Sequence, residues 1–277
     1  MMSLKDKNGV IGAVAGDIAG SHYEFLEQKM KNFTLFSPYD SFTDDSILTL
    51  IIAKTFLDCK KNFKNLKSKL IINIKKIGKL YIDVAGYGDM FLQWLLSKSS
   101  EPYYSFGNGS AMRVSAVPYF ANNIDEVKTF SKIVTEITHN HPEGIKGAEA
   151  TAVVIWLALN DYSKEEIKQY VENNYYPMNY TEKDLFENYK FEGSCQKTVP
   201  QCIFAFLISN SYEDSIKKVI GWGGDTDTMG AITGAMAGAY YGVPLQIQKK
   251  AKAYLDKRML DIVNSFEKYL DNKSNKA

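Results

Sequence analysis

The chain has 277 residues, enough for one large core or two small ones. Its 33 Lys and Arg against 32 Asp and Glu leave a formal charge of +1, which excludes a polyanion binder working by bulk phosphate attraction and an acidic solvating tail. With 45% hydrophobic and 23% charged residues the composition excludes wholesale disorder, and three scattered cysteines are too few for a disulfide framework.

At the N-terminus, residues 1–10 carry Lys5, Asp6 and Lys7 and no apolar run of the kind a signal peptide needs. No stretch approaches the roughly 20 apolar residues of a membrane span. The expectation is a soluble, cytoplasmic protein. Gly12, Gly16 and Gly20 follow, four apart, and Gly230, Gly234, Gly238 and Gly242 repeat the spacing near the other end. On a helix this spacing makes a stripe without side chains. Each interior glycine costs about 1 kcal/mol against alanine, so the stripes predict close helix–helix approach or backbone beside a ligand. A membrane reading of this spacing fails because 229–245 is too short to span.

Helical periodicity then predicts helices over 46–56, 65–80, 124–138, 145–159, 164–173, 198–208, 212–220 and 245–269. The apolar stripe of 65–80, for example, is Leu66, Leu70, Ile74 and Ile77. The best strand candidate is the short run 175–180. No linker, low-complexity block or solenoid repeat interrupts the chain. The prediction is a single all-α domain over 1–277, an orthogonal bundle of more than ten helices.

Three acidic segments carry the chemistry. Thr43-Asp44-Asp45 precedes the helix from Ser46 and reads on its own as a cap with two acids at the positive end of the dipole. Gly223-Gly224-Asp225-Thr226-Asp227-Thr228 opens the second glycine-striped helix. Carboxylates and a hydroxyl on a buried platform offer hard oxygen ligands suited to Mg²⁺, Mn²⁺ or Ca²⁺; a capped helix start with an Asx turn is the alternative. Asp17 lies in the first glycine-striped helix and Glu24 just beyond it; a lone acid there reads as a helix terminus or cap. If the two glycine faces pack together, Glu24, Asp44, Asp45, Asp225 and Asp227 converge around one or two divalent ions.

Between them lies Phe106-Gly107-Asn108-Gly109-Ser110-Ala111-Met112-Arg113, whose glycines let backbone amides approach phosphate oxygens, with a helix predicted from Ala111. It lacks the Gly-Lys-Ser/Thr of a Walker loop. Arg113 and Arg258 are the only arginines in a chain that otherwise uses Lys, so Arg113 suggests a planar partner or structural support. His139 and His141 could ligate zinc only with further His or Cys, which the spacing does not supply. Trp222 and Tyr104 are candidate aromatic walls for an adenine. Cys59, Cys195 and Cys202 read as small buried hydrophobes.

Gly12–Glu24, Phe42-Thr43-Asp44-Asp45, Phe106–Val114, Thr138-His139 and Gly223–Thr228 occur in this order over residues 12 to 242, and the ordered set resembles the ADP-ribosylglycohydrolase family. The resemblance implies an all-α fold and two Mg²⁺ (or Mn²⁺) held by Thr43, Asp44, Asp45, Asp225, Asp227 and Thr228. It further implies Glu24 beside the metals as ligand or catalytic acid/base, and ADP-ribose on Gly107, Asn108, Gly109, Ser110 and Met112; for the carboxylate that directs a water at the anomeric carbon, Glu24 is the expectation and Asp44 the alternative. By the same resemblance His139 lines the substrate cleft, and Tyr87 and Gly88 lie in a loop under the distal ribose; Asp89 departs from the pattern.

The implied substrate is an ADP-ribosylated protein or small molecule, cleaved at its N- or O-glycosidic bond by a monomer with no membrane or bulk nucleic-acid partner. A relative that binds ADP-ribose without turnover and a two-metal nucleotide phosphohydrolase are the alternatives.

Overall fold

The computed structural model describes residues 2–24, 26 and 29–275. In chain order the helices are α1 (Gly9–Ser21), α2 (Asp44–Cys59), α3 (Leu66–Gly78), α4 (Asp89–Leu96), α5 (Ile124–Thr135), α6 (Pro142–Leu159), α7 (Lys164–Asn174), α8 (Glu182–Asn188), α9 (Cys195–Ile208), α10 (Tyr212–Gly221), α11 (Thr226–Tyr241), α12 (Leu245–Tyr254) and α13 (Lys257–Ser274). Short 3₁₀ turns occur at Lys79–Tyr81, Asn108–Ser110 and Val117–Tyr119. The all-α prediction, with more than ten helices, holds, and no described helix is long and apolar enough to cross a membrane.

The centre of the fold is the α1–α11 pair, both buried almost end to end. Their glycine stripes face each other. A Cβ added at Gly12, Gly16 or Gly20 would run into the backbone carbonyls of Gly234, Gly230 and Thr226, and one at Gly230 into Gly16. Backbone-to-backbone contact of this kind is what offsets the propensity cost of the glycines. Helices α2, α10 and α12 pack against α1, and α6, α9 and α10 against α11. Amphipathic helices complete the enclosure, α10 directly against the pair and α5 and α13 one layer out, on α6 and α2.

Several predicted boundaries are corrected. The 245–269 helix is two helices, because Asp256 accepts from the Met259 N–H at 2.8 Å and starts α13 afresh. The 175–180 run is irregular; the described residues contain an isolated Gly107–Ser194 bridge and no strand. No helix begins at Ala111: the 3₁₀ turn Asn108–Ser110 ends in turn residues, so the loop has no helix dipole behind it. Helix α6 starts earlier than periodicity indicates, at Pro142, the favoured first-turn residue, with His141 as its cap. Helices α4 and α8, of 8 and 7 residues, are too short for a periodic pattern to reveal.

Candidate active site

Asp17 is the buried acid from which the site is built. Its carboxylate accepts from Thr43 N (3.0 Å), Thr43 Oγ1 (2.7 Å), Ser46 N (3.1 Å) and Ser46 Oγ. Four donors from the first turn of α2 are thus satisfied by a side chain of α1, which ties the two helices together at one point. Burial pushes the Asp17 carboxyl up to about 6 although these bonds oppose the shift. Sequence alone pointed to no more than a cap or terminus role for this residue; it is a cap, but of a different helix.

The Thr-Asp-Asp turn that Asp17 holds meets the start of α11. Thr228 Oγ1 donates to Asp45 Oδ2 at 3.1 Å, and Thr43 Oγ1 lies 3.3 Å from the same oxygen. Asp45 is 1% exposed, and its Oδ1 is buried with no hydrogen-bond partner. The glycines before α11, Gly223 and Gly224, have φ of 70° and 91°, a left-handed turn that glycine adopts without strain and that swings the chain into Asp225. Asp225 Oδ2 accepts from Asn108 Nδ2 at 2.7 Å, which joins the Gly107–Gly109 loop to α11. Asp227 Oδ1 accepts from Thr228 N at 2.9 Å.

Carboxylate oxygens of Asp17, Asp45 and Asp227 lie within 4.8 Å of one another, and so do those of Glu24, Asp225 and Asp227. Every one of these groups is pushed above the ordinary carboxylate range. Burial is the first cause for each; for Asp44, Asp45 and Asp227 the neighbouring acids add to it. Glu24, raised to about 7, feels burial first, then Asp225 and Asp17. Among the described residues no Lys or Arg pairs with any of them. Like charges gathered out of water with an orphaned oxygen require either protons or a cation. The all-oxygen donor set of carboxylates and threonine hydroxyls fits a hard divalent ion.

The acids form one wall of a cleft of about 440 Å³. Glu24, Thr43, Asp44, Asp225, Asp227 and Thr228 line it, and Gly107, Asn108, Gly109, Met112 and His139 face them; Gly88 and Asp89 stand at its edge. Asp45 lies beneath the wall. Two residues that the resemblance assigned to substrate sit behind the lining instead. Ser110 Oγ donates to the carbonyls of Gly107 (3.1 Å) and Gly144 (2.9 Å) and so braces the loop. Tyr87 is buried and donates to Gly78 O at 3.1 Å. Neither proposed aromatic wall reaches the cleft: Trp222 is 1% exposed and stacks on Phe204, and Tyr104 packs on His141 at the surface.

The loop's amides are largely committed. Asn108 N donates to Gly193 O at 2.8 Å, Gly107 N to Ser105 Oγ, and Ser110, Ala111 and Met112 N to Gly107 and Asn108 carbonyls, leaving Gly109 outside this bonding. Tyr103 and Ser105, which also line the cleft, carry no sequence signal, because nothing before folding places them beside the acids. A larger groove of about 1040 Å³ between α2, α3 and α13 contains none of these acids; its Asp58 pairs with Lys54 and its Asp256 caps α13.

Comparison with known proteins points to one family. ADP-ribosylhydrolase ARH3 of Gallus gallus is 28% identical over 199 residues, 54% of each chain, so the chain spans about half the length of that relative. A putative ADP-ribosyl glycohydrolase, L543, of Acanthamoeba polyphaga mimivirus is 24% identical over 297 residues, covering 87% of this chain and 88% of its own. ADP-ribosylarginine hydrolase Tri1 of Pseudomonas putida is 22% identical, covering 86% and 70%. A solved structure titled ADP-ribosylglycohydrolase-related protein complex shares the fold, with a TM-score of 0.70 and 20% identity over 95% of this chain and 97% of that one. The family model described as ADP-ribosylglycohydrolase matches residues 6–274, and the chain belongs to that family.

Proposed function

We propose that the chain, acting as a single domain, hydrolyses the N- or O-glycosidic bond between ADP-ribose and an acceptor. Two Mg²⁺ or Mn²⁺ would be held by Thr43, Asp44, Asp45, Asp225, Asp227 and Thr228. The observation that carries this reading is a cluster of six acids with no Lys or Arg paired to any of them among the described residues, one with an orphaned oxygen and four lining one side of a cleft that a glycine loop closes on the other. The activities named for the relatives, ADP-ribosylhydrolase and ADP-ribosylarginine hydrolase, support the same bond class.

Cleaving a ribosyl bond develops positive charge at the anomeric carbon, and the carboxylate wall stabilises it. A divalent ion bound there supplies Lewis acidity and lowers the pKa of water. Glu24 is the general base in this reading, with Asp44 the alternative: at about 7 its carboxyl is poised to take a proton from the attacking water near neutral pH. On the opposite wall, the Gly109 amide and the His139 ring face the diphosphate and ribose.

The three free cysteines, all buried, suit a reducing compartment such as the cytoplasm. The test is a panel of ADP-ribosylated arginine, serine and small-molecule substrates incubated with Mg²⁺, with Mn²⁺ and with EDTA, with products identified by mass. Free ADP-ribose formed only with metal supports the proposal. AMP with ribose phosphate would point to a phosphohydrolase, and binding without product to a non-catalytic relative. Turnover undiminished by EDTA, or by Glu24→Gln with metal affinity intact, would overturn the mechanism.

A further inference from the structure

Arg113 is a fully buried guanidinium with no acid partner. Its Nη2 donates to the carbonyls of Val134 (3.3 Å) and Thr135 (3.4 Å) at the end of α5 and to Thr138 Oγ1 at 2.6 Å; Nε and Nη1 are buried and meet no acceptor among the described residues. Thr138 Oγ1 in turn lies 2.8 Å from His139 Nδ1, and both residues are buried. A guanidinium can only donate, so it occupies a lone pair of the threonine oxygen. The hydroxyl's own proton then needs an acceptor: His139 Nδ1 stands at 2.8 Å, while the Tyr103 hydroxyl, which also contacts Thr138, has a proton of its own to donate to the oxygen's remaining lone pair. An accepting Nδ1 places the ring's proton on Nε2.

Charge argues in the same direction. An imidazolium would put a second positive charge beside Arg113 out of water, and burial followed by Arg113 holds the His139 ring well below its ordinary range. The Nε2 edge faces the loop: a Cβ on Gly107 or Gly109 would sit 3.6 or 3.4 Å from it.

We propose that Arg113 and Thr138 are positioning residues that hold His139 as the neutral Nε2–H tautomer, which makes the ring a fixed hydrogen-bond donor to an acceptor oxygen of a ligand seated on the Gly107–Gly109 loop. The ligand half of this statement rests on the proposed reading of that loop as the ADP-ribose site; the tautomer half does not. The relay also accounts for an arginine in a chain that uses lysine nearly everywhere. A buried guanidinium keeps its charge, whereas the point charge of lysine shifts to its proton-free form more readily on burial.

With three histidines in the chain, long-range ¹H–¹⁵N correlation of the full, ligand-free protein resolves each ring. In the wild type His139 should show an unprotonated Nδ1 and a protonated Nε2 at neutral pH. Thr138→Val removes the hydroxyl and should yield a mixture of tautomers and bind ADP-ribose about tenfold more weakly, the worth of one hydrogen bond. Thr138→Ser should restore both. Arg113→Lys should also release the tautomer; should that variant not fold, the Val/Ser pair decides. A protonated Nδ1 in the wild type, or a Thr138→Val protein with tautomer and affinity unchanged, would overturn the relay. Failure of the wild type to bind ADP-ribose would count against the proposed function, while the ring's tautomer, read without ligand, still decides whether the relay exists.

Discussion

Gly20→Ala places a methyl group between the end of α1 and the start of α11. The new Cβ would lie 2.5 Å from the Thr226 carbonyl carbon and 2.7 Å from Asp227 N, with the Thr226 oxygen nearer still. Ordinary contact begins at 3.4 Å and the Thr226 oxygen would lie at 2.2 Å, so the first turn of α11 must recede by about 1.2 Å. Neither neighbour is a flexible side chain, so the strain falls on backbone, and the cost belongs at the upper end of overpacking, about 3 kcal/mol. Helix propensity acts the other way, with alanine favoured by at most about 1 kcal/mol. The two effects differ in sign, and steric strain should win. Thermal unfolding should show a melting temperature lower by about 5–10 °C for a chain of this size. The displaced segment carries Asp225, Asp227 and Thr228, so calorimetric Mn²⁺ affinity should fall as well. Gly193→Ala is the control: nothing lies within 4 Å of its Cβ, and stability should stay within about 0.5 kcal/mol. A Gly20→Ala protein as stable as the wild type, or more stable, would refute the backbone-contact account of the glycine stripes.

Other expectations follow from the acid cluster. Asp45→Asn removes a buried charge with an orphaned oxygen, so in EDTA the variant should be more stable by about 1–2 kcal/mol, while the melting-temperature rise caused by Mg²⁺ shrinks; an unchanged Mg²⁺ response would remove Asp45 from the ligand set. Glu24 titrates at about 7 against an ordinary 4.5, and Asp17 at about 6 against 3.8, so the folded state holds protons that the unfolded chain has released. In that interval stability falls as pH rises, and in EDTA the site's contribution should decline from the ordinary carboxylate pKa through about pH 7. Saturating Mg²⁺, which binds the ionised form, should flatten or reverse that slope; identical profiles with and without metal would contradict a cation site. Asn108→Ala removes the amide that Asp225 accepts from and should weaken Mn²⁺ binding about tenfold, measured by titration calorimetry, with an unchanged affinity counting against the loop's role in aligning Asp225.

How far the sequence reaches differs from residue to residue. The Thr43–Asp45 and Asp225–Thr228 motifs were visible because acids, hydroxyls and glycines stand together along the chain, and the structure places both on one cleft. Tyr87 and Ser110 sit in the same kind of neighbourhood along the chain, yet their side chains brace the backbone of Gly78, Gly107 and Gly144. Which way a loop side chain turns is set by partners distant in sequence, and no local pattern encodes it. The capping of α2 by Asp17 spans 26 residues and the Asn108–Asp225 bond 117, so both were out of reach. The break at Asp256 was legible in principle, since an aspartate ahead of an apolar-periodic run is a start signal, but the periodicity on both sides masked it.

By itself, then, the sequence determined that the chain is helical, that two of its helices bear matched glycine faces, and that its unusual acids lie next to those faces. Periodicity and spacing are one-dimensional properties, and each glycine's propensity cost is local. Tertiary structure decided that the two faces meet, that Asp17 turns inward to hold α2, that Asp45 is left with an unpartnered oxygen, and that Arg113 reaches His139 through Thr138. These are contacts between segments brought together only when the backbone of α1 closes on that of α11, at a distance that any side chain in the stripe would have prevented.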